Sequence, residues 1–306
     1  MDYECIIIGG GPGGLSTGLY LAKAGMKVVL YEGRTPGGQI LNTDRVDNYL
    51  GFEEIEAWKL ADAMIAHAKG AGLEIVAETI GEAGADGEER YVILSSGERV
   101  TAQTLVLACG GFPRKLGVPG EEEFSLGKGV SYCAVCDGGF YRGKAVAVAG
   151  GGDAAVTEAN HLAHLVDSVH IIHRRDAWRA KPQLVSRMLD RSNVTAVMDS
   201  VLVAVLGDDS VTGVRVRNVK TGVESDIPVQ GFFVAIGFDP NTSVFKGEIA
   251  LDGEGFVVTD SRMRTNVPGV FAVGDLRSNV GRQIAIAVGD GATAAMSVGH
   301  YINEAG

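Results

Sequence analysis

No stretch of this 306-residue chain approaches the eighteen or more consecutive apolar residues of a membrane helix. Bases are also short, 27 lysines and arginines against 38 acids, for a formal charge of −11. The first absence excludes a helical membrane span. The second excludes the broad basic surface that nucleic acid or an anionic membrane requires, so any anion must be met by local positive charge. The opening Met1-Asp2-Tyr3-Glu4 carries acids where a signal peptide wants bases, and glycines cut short the apolar run behind it, so a cytoplasmic chain is expected. Cysteine is scarce, four in all, and in that compartment a close pair is expected to do redox chemistry or bind metal rather than act as a structural staple. Glycine is in excess, 44 of 306 residues with no collagen-like period, which predicts many tight turns and close backbone approaches. The length is that of about two domains.

Cys5-Ile6-Ile7-Ile8 reads as a short buried strand, followed by the turn Gly9-Gly10-Gly11-Pro12-Gly13-Gly14 and a helix over 15–24. A second strand over 27–31 ends on Glu32. Gly9, Gly11 and Gly14 fit G-x-G-x-x-G: one for the turn, one for pyrophosphate approach, one for helix packing. Glu32, about twenty residues on, is placed to hold a ribose hydroxyl pair and disfavours a 2′-phosphate, so this site suits FAD or NAD.

The same grammar recurs as a strand over 145–149, the turn Gly150-Gly151-Gly152-Asp153-Ala154-Ala155, a helix over 154–165 and a strand over 168–172. Gly150, Gly152 and Ala155 fit G-x-G-x-x-A, but the last strand runs into His173-Arg174-Arg175, with Arg179 beyond and no acid for a ribose. Guanidiniums pair bidentately with phosphate, which points to NADP. The chain therefore reads as an internal duplication, an α/β fold with two dinucleotide-binding Rossmann-like domains. Alternating strands near 91–94, 211–217 and 256–259 are expected to be antiparallel. Loops over 110–120 and 237–241 are the expected domain crossings. Glu121-Glu122-Glu123 is expected to be a solvated face. The strand ending in Gly274-Asp275 is either a further cofactor contact or an ordinary turn.

Fourteen residues before Gly150 lies Cys133-Ala134-Val135-Cys136-Asp137. A C-x-x-C pair suits redox exchange, because the thiols can close a small disulfide and local charge can turn one of them into a thiolate. Half of a zinc site is the alternative, but zinc wants four ligands and the remaining cysteines, Cys5 and Cys109, lie on separate strand patterns, so no metal is expected. Asp137 is either a proton donor for the leaving thiolate or a turn residue before Gly138-Gly139. Two nucleotides and one dithiol imply an electron relay.

Taken together, these motifs resemble the low-molecular-weight thioredoxin reductases along essentially the full length. The match includes the Gly9–Gly14 turn, Pro36-Gly37-Gly38-Gln39, Asn48, the C-x-x-C-Asp segment, Gly150-Gly151-Gly152-Asp153, His173-Arg174-Arg175 with Arg179, Gly274-Asp275, and Arg282-Gln283-Ile284-Ala285. The resemblance implies a homodimeric flavoenzyme in which Gly9, Gly11, Gly14, Glu32, Gln39, Asn48, Asp275 and Gln283 bind FAD. It implies an NADPH domain over 115–243, carrying the dithiol, inserted into an FAD domain made of 1–114 and 244–306. Cys136 would face the flavin, Cys133 would exchange with thioredoxin or a thioredoxin-like protein, and Asp137 would supply the proton. The two domains would rotate to bring NADPH and the dithiol to the flavin in turn. This chain departs from the pattern at Ala154, where the family often has serine, and at Cys109, where it often has threonine. A small-molecule dithiol oxidase, a reductase of the same fold with another donor, and a redox sensor without turnover are the alternatives.

Overall fold

Successive side chains of a strand point to opposite sides of the sheet, and in Cys5-Ile6-Ile7-Ile8 both sides are apolar, as in a strand covered on both faces. In the computed structural model, which describes residues 1–245, 247 and 249–305, this is β1 (Tyr3–Ile8). Ile6 and Ile8 enter one core cluster, Cys5 and Ile7 the other. The following helix, α1 (Pro12–Lys23), starts three residues before the expected Leu15. Pro12 presets the helical φ in the first turn, where its missing N–H has no partner to lose. Next come β2 (Val28–Tyr31), α2 (Ala57–Gly70), β3 (Glu74–Val76), β4 (Ile80–Asp86), β5 (Glu89–Leu94) and β6 (Arg99–Leu107). β1 lies between β2 and β6 and parallel to both, and β3 extends the sheet beyond β2. β4, β5 and β6 run as an antiparallel meander, as expected for the segment around 91–94.

The chain forms two compact units, one of residues 1–42, 46–112 and 239 onward, the other of 43–45 and 113–238. The second contains β7 (Val130–Ser131), α3 (Ala134–Asp137), β8 (Ala145–Ala149), α4 (Asp153–Leu162), β9 (Ser168–Ile172), α5 (Pro182–Leu189) and β10 (Val194–Val197). It continues through β11 (Ser200–Gly207), β12 (Val211–Asn218), β13 (Glu224–Pro228) and β14 (Gly231–Val234). Its parallel sheet has the order β7-β14-β8-β9-β10, while β11, β12 and β13 make a separate antiparallel sheet. Val146 and Val148 of β8 face one core cluster and Ala147 and Ala149 the other, repeating the logic of β1.

Back in the first unit, β15 (Val270–Ala272) joins β6 in parallel and α6 (Ile284–Ala305) closes against α1. The fit is close: a Cβ at Gly291 would stand 2.4 Å from the Gly13 carbonyl oxygen. Among the described residues, no helix is long and apolar enough to cross a membrane. Each unit thus presents a glycine turn at the carboxyl end of a parallel sheet, the place where such folds take ligands.

Two expectations are corrected. Residues 256–259 form no strand; Val257 makes only isolated bridges to Leu251 and Arg277. The Phe256 N–H goes to the Asp252 side chain, and the N–H groups of Val257 and Val258 go to two different segments, at Leu276 and Ala250, so no continuous ladder forms. Glu121 is not part of a solvated face but 1% exposed. Its carboxylate accepts the N–H groups of Leu116 (3.0 Å) and Gly117 (2.7 Å) and the Tyr132 hydroxyl (3.0 Å), partners that make burial of an acid tolerable.

Candidate functional site

The first glycine turn leaves β1 through Gly9, whose φ of +108° is open to glycine alone and whose Cβ would stand 2.4 Å from the Ala108 carbonyl oxygen. Gly14 is equally constrained, since a Cβ there would lie 2.0 Å from the Gly9 oxygen. Gly11 differs: the nearest atom to a Cβ at that position is Gly38 Cα, 3.9 Å away. The protein leaves space over Gly11 that a side chain would fill, and that space is the cradle a pyrophosphate needs at a helix N-terminus. Glu32 sits at the end of β2 with one carboxylate oxygen accepting from Gly10 N (2.7 Å) and the other from Arg34 N (2.8 Å). The carboxylate is thereby fixed beside the turn. Around it, Gln39 Nε2 donates to the Gly111 carbonyl (2.7 Å), and Asn48 Nδ2 donates to Gln283 Oε1 (3.3 Å), joining residues 235 positions apart.

Asp275 lies just beyond β15, where burial pushes its carboxyl up to about 6, with Arg282 pulling down and Asp290 pushing up. Asp290 was not anticipated from the sequence. It is 6% exposed and receives Arg277 through two nitrogens (2.7 and 3.0 Å) and Gly274 N (3.0 Å), so it anchors the Gly-Asp turn. Cys109, close behind the Gly9 turn, is a thiol pushed up to about 12 by burial and by the charge of Glu32, which keeps it protonated and unreactive.

In the second turn Gly150 is closed off by the Ala235 oxygen (2.4 Å) and Ala155 Cβ (2.5 Å), and Ala155 is fully buried. Gly152 keeps 3.5 Å of room, and the atom at that distance is Arg179 Nη2. Arg174, Arg175 and Arg179 are exposed, and among the described residues none of them forms an ion pair. Three guanidiniums without ion-pair partners concentrate positive charge in an otherwise acidic chain, of the kind that would attract an anion. His173 sits apart from them, buried beneath Gly151, where its ring stacks on Trp178 at 5.3 Å and its Nε2 meets the Ala177 carbonyl at 3.0 Å. Burial lowers its pKa first, followed by the charges of Arg175, Arg174 and Arg179. Asp153, at the start of α4, accepts from Lys181 N (2.8 Å) and so fixes the chain just after Arg179.

Cys133 and Cys136 form a disulfide with a Cα separation of 5.3 Å, on the short helix α3 of the second unit. Cys136 N donates to Cys133 Sγ at 3.2 Å, a donor that favours thiolate at Cys133 once the bond is opened. Asp137 closes the helix, and its Oδ2 accepts the Ser131 hydroxyl at 2.6 Å. Burial, then the charge of Asp137, pushes the Tyr141 phenol up to about 12. Ser131 and Tyr132 escaped the sequence reading because neither residue type marks a redox motif; only their spatial partners give them a role.

Two Rossmann turns and a C-x-x-C disulfide are the components of a nucleotide-linked disulfide oxidoreductase, and the pattern of the pyridine nucleotide-disulphide oxidoreductase family matches residues 3–291. Thioredoxin reductase of Listeria monocytogenes is 41% identical over 303 residues, covering 99% of this chain and 94% of that protein. That of Bacillus subtilis is 40% identical, covering 99% and 95%. The crystal structure of thioredoxin reductase from Streptococcus pyogenes aligns with a TM-score of 0.94 at 39% identity, over 99% of this chain and 98% of that one. The chain belongs to the pyridine nucleotide-disulphide oxidoreductase family, in its thioredoxin reductase group.

Proposed function

We propose that this protein reduces the disulfide of thioredoxin or a thioredoxin-like protein with electrons from NADPH, passed through FAD and the Cys133/Cys136 pair. The observation that carries the reading is the disulfide with its adjoining carboxyl, in the same unit as an arginine-bordered glycine turn. FAD belongs to the first unit, with Gly9, Gly11 and Gly14 admitting its pyrophosphate, Glu32 its ribose, and Gln39, Asn48, Asp275 and Gln283 the remainder. NADPH belongs to the second, with Gly150, Gly152 and Ala155 shaping the turn, Arg174, Arg175 and Arg179 meeting the 2′-phosphate, and His173 supporting the turn from below. Bound FAD supplies a two-electron carrier between nicotinamide and disulfide.

Opening the disulfide takes two electrons and, with Cys133 left as a thiolate, one proton; Asp137 delivers that proton to the sulfur of Cys136, the cysteine that takes electrons from the flavin. Cys133, whose thiolate the Cys136 N–H favours, then attacks the partner disulfide; Cys136 resolves the mixed disulfide and the reduced partner leaves. We assign the working form as a cytoplasmic homodimer.

The test is trapping. Cys136→Ser, reduced and mixed with oxidised thioredoxin, should hold the partner covalently through Cys133, read as a mass shift that dithiothreitol reverses, while Cys133→Ser should not. Trapping only through Cys136 reverses the assignment, and full activity in either variant refutes the relay. Rapid oxygen consumption with a small dithiol, and none with thioredoxin, identifies an oxidase instead.

A further inference from the structure

Ser131 lies outside the C-x-x-C motif, yet its hydroxyl is the group that links Asp137 to the dithiol. It is 4% exposed. A hydroxyl has one hydrogen to give and lone pairs to receive with. Here the hydrogen goes to Asp137 Oδ2 at 2.6 Å, and Oγ accepts from Cys133 N at 3.1 Å; the Cys133 carbonyl lies farther off, at 3.4 Å. Thr43 Oγ1 reaches the other carboxyl oxygen of Asp137 at 3.4 Å, a longer contact than the one from Ser131.

The serine itself is held from both sides. Its backbone is in register with Phe233 of β14, a fully buried residue on an interior strand of the sheet. The next side chain, Tyr132, is tied to the buried Glu121, which is tied in turn to two backbone N–H groups. A short contact from a buried serine held on both sides to the half-buried Asp137 is one the fold imposes rather than one a mobile side chain happens to make.

We propose that Ser131 is a positioning residue for the dithiol chemistry: it holds one oxygen of Asp137, and so orients the carboxyl group that delivers the proton when the disulfide opens. The inference rests on the reading of Asp137 as that donor. The hydroxyl neither gains nor loses a proton over the cycle; the proton passes from the Asp137 carboxyl to the departing sulfur, leaving a carboxylate for Ser131 to hold.

The experiment is rapid mixing of the FAD-loaded protein with one equivalent of NADPH, which resolves flavin bleaching from the return of flavin absorbance as electrons reach the disulfide. The variants are S131A, S131T, S131V, D137N and the S131A/D137N double mutant. Bleaching should keep its rate in all of them. The second phase should slow about ten- to hundredfold in S131A and S131V and stay near wild type in S131T. Thr and Val have the same shape and differ in the hydroxyl, so this pair decides the matter even if S131A folds poorly. The double mutant should be no slower than D137N, since a residue that acts only through Asp137 has nothing left to orient. Equal rates in S131T and S131V, or losses that multiply in the double mutant, overturn the proposal while leaving Asp137 in place. A D137N protein as fast as wild type removes the donor and the positioning role together.

Discussion

At the scale of single residues the account rests on charges that have been placed or left unpaired. Glu32 is held by Gly10 N and Arg34 N and cannot swing away from the first turn. Glu32→Ala should weaken FAD binding by about 1–3 kcal/mol, the cost of leaving polar partners unsatisfied. Fluorescence titration of the flavin-free protein measures it, and unchanged affinity would remove Glu32 from the site. The guanidiniums of Arg174 and Arg175 form no ion pair among the described residues, so replacing both by Ala should raise KM for NADPH much more than KM for NADH; equal effects would reduce them to surface charge.

Asp275 gives a pH prediction. Burial pushes its carboxyl up to about 6 in the folded chain, from an ordinary value of 3.8. Between those two values the folded state binds more protons at Asp275 than the unfolded one, so the contribution of this group to stability should fall as pH rises from about 4 to 6 and level off above. The loss is on the order of 2–3 kcal/mol. In urea denaturation across that range, the stability of Asp275→Asn relative to wild type should grow with pH by that amount; a difference that does not change with pH would mean that Asp275 is not the group responsible.

Turns and helices carry the next layer, where Gly14 and Gly11 of one motif do different work. Gly14→Ala drives a methyl to 2.0 Å from the Gly9 oxygen, so it should destabilise the fold by about 2 kcal/mol or more. Gly11→Ala meets nothing within 3.9 Å, so it should fold normally and lose FAD. Thermal melts paired with flavin retention separate the two; a destabilised Gly11→Ala, or a yellow one, contradicts the division of labour. The strands, both glycine turns and the dithiol were legible because period, turn chemistry and spacing are local properties of the chain. Glu121 was not, since three acids in a row read as solvated until the N–H groups of Leu116 and Gly117 and the Tyr132 hydroxyl are brought around the first of them. The segment over 256–259 misled for the converse reason: its alternation is genuine, but Asp252 takes the Phe256 N–H, and Val257 and Val258 donate to two different segments instead of one partner strand. Asp290 sits on a helix with nothing in its neighbourhood along the chain to mark it, and its role exists only through Arg277 and Gly274.

As a whole molecule, the protein consists of two units with separate sheets and separate cores. Substitutions in one nucleotide turn should therefore leave the other site unaffected, and the Arg174/Arg175 double variant should purify with its full complement of flavin. The central claim is that two two-electron acceptors, flavin and disulfide, lie in series behind one nicotinamide site. Anaerobic titration of the FAD-loaded protein with NADPH, with an enzymatic system removing NADP and flavin absorbance followed in the visible, tests it most directly. Wild type should take about two equivalents of NADPH per flavin before bleaching is complete, and the Cys133→Ser/Cys136→Ser variant about one. A single equivalent in both proteins would contradict the relay, because the disulfide would then lie outside the path of the electrons.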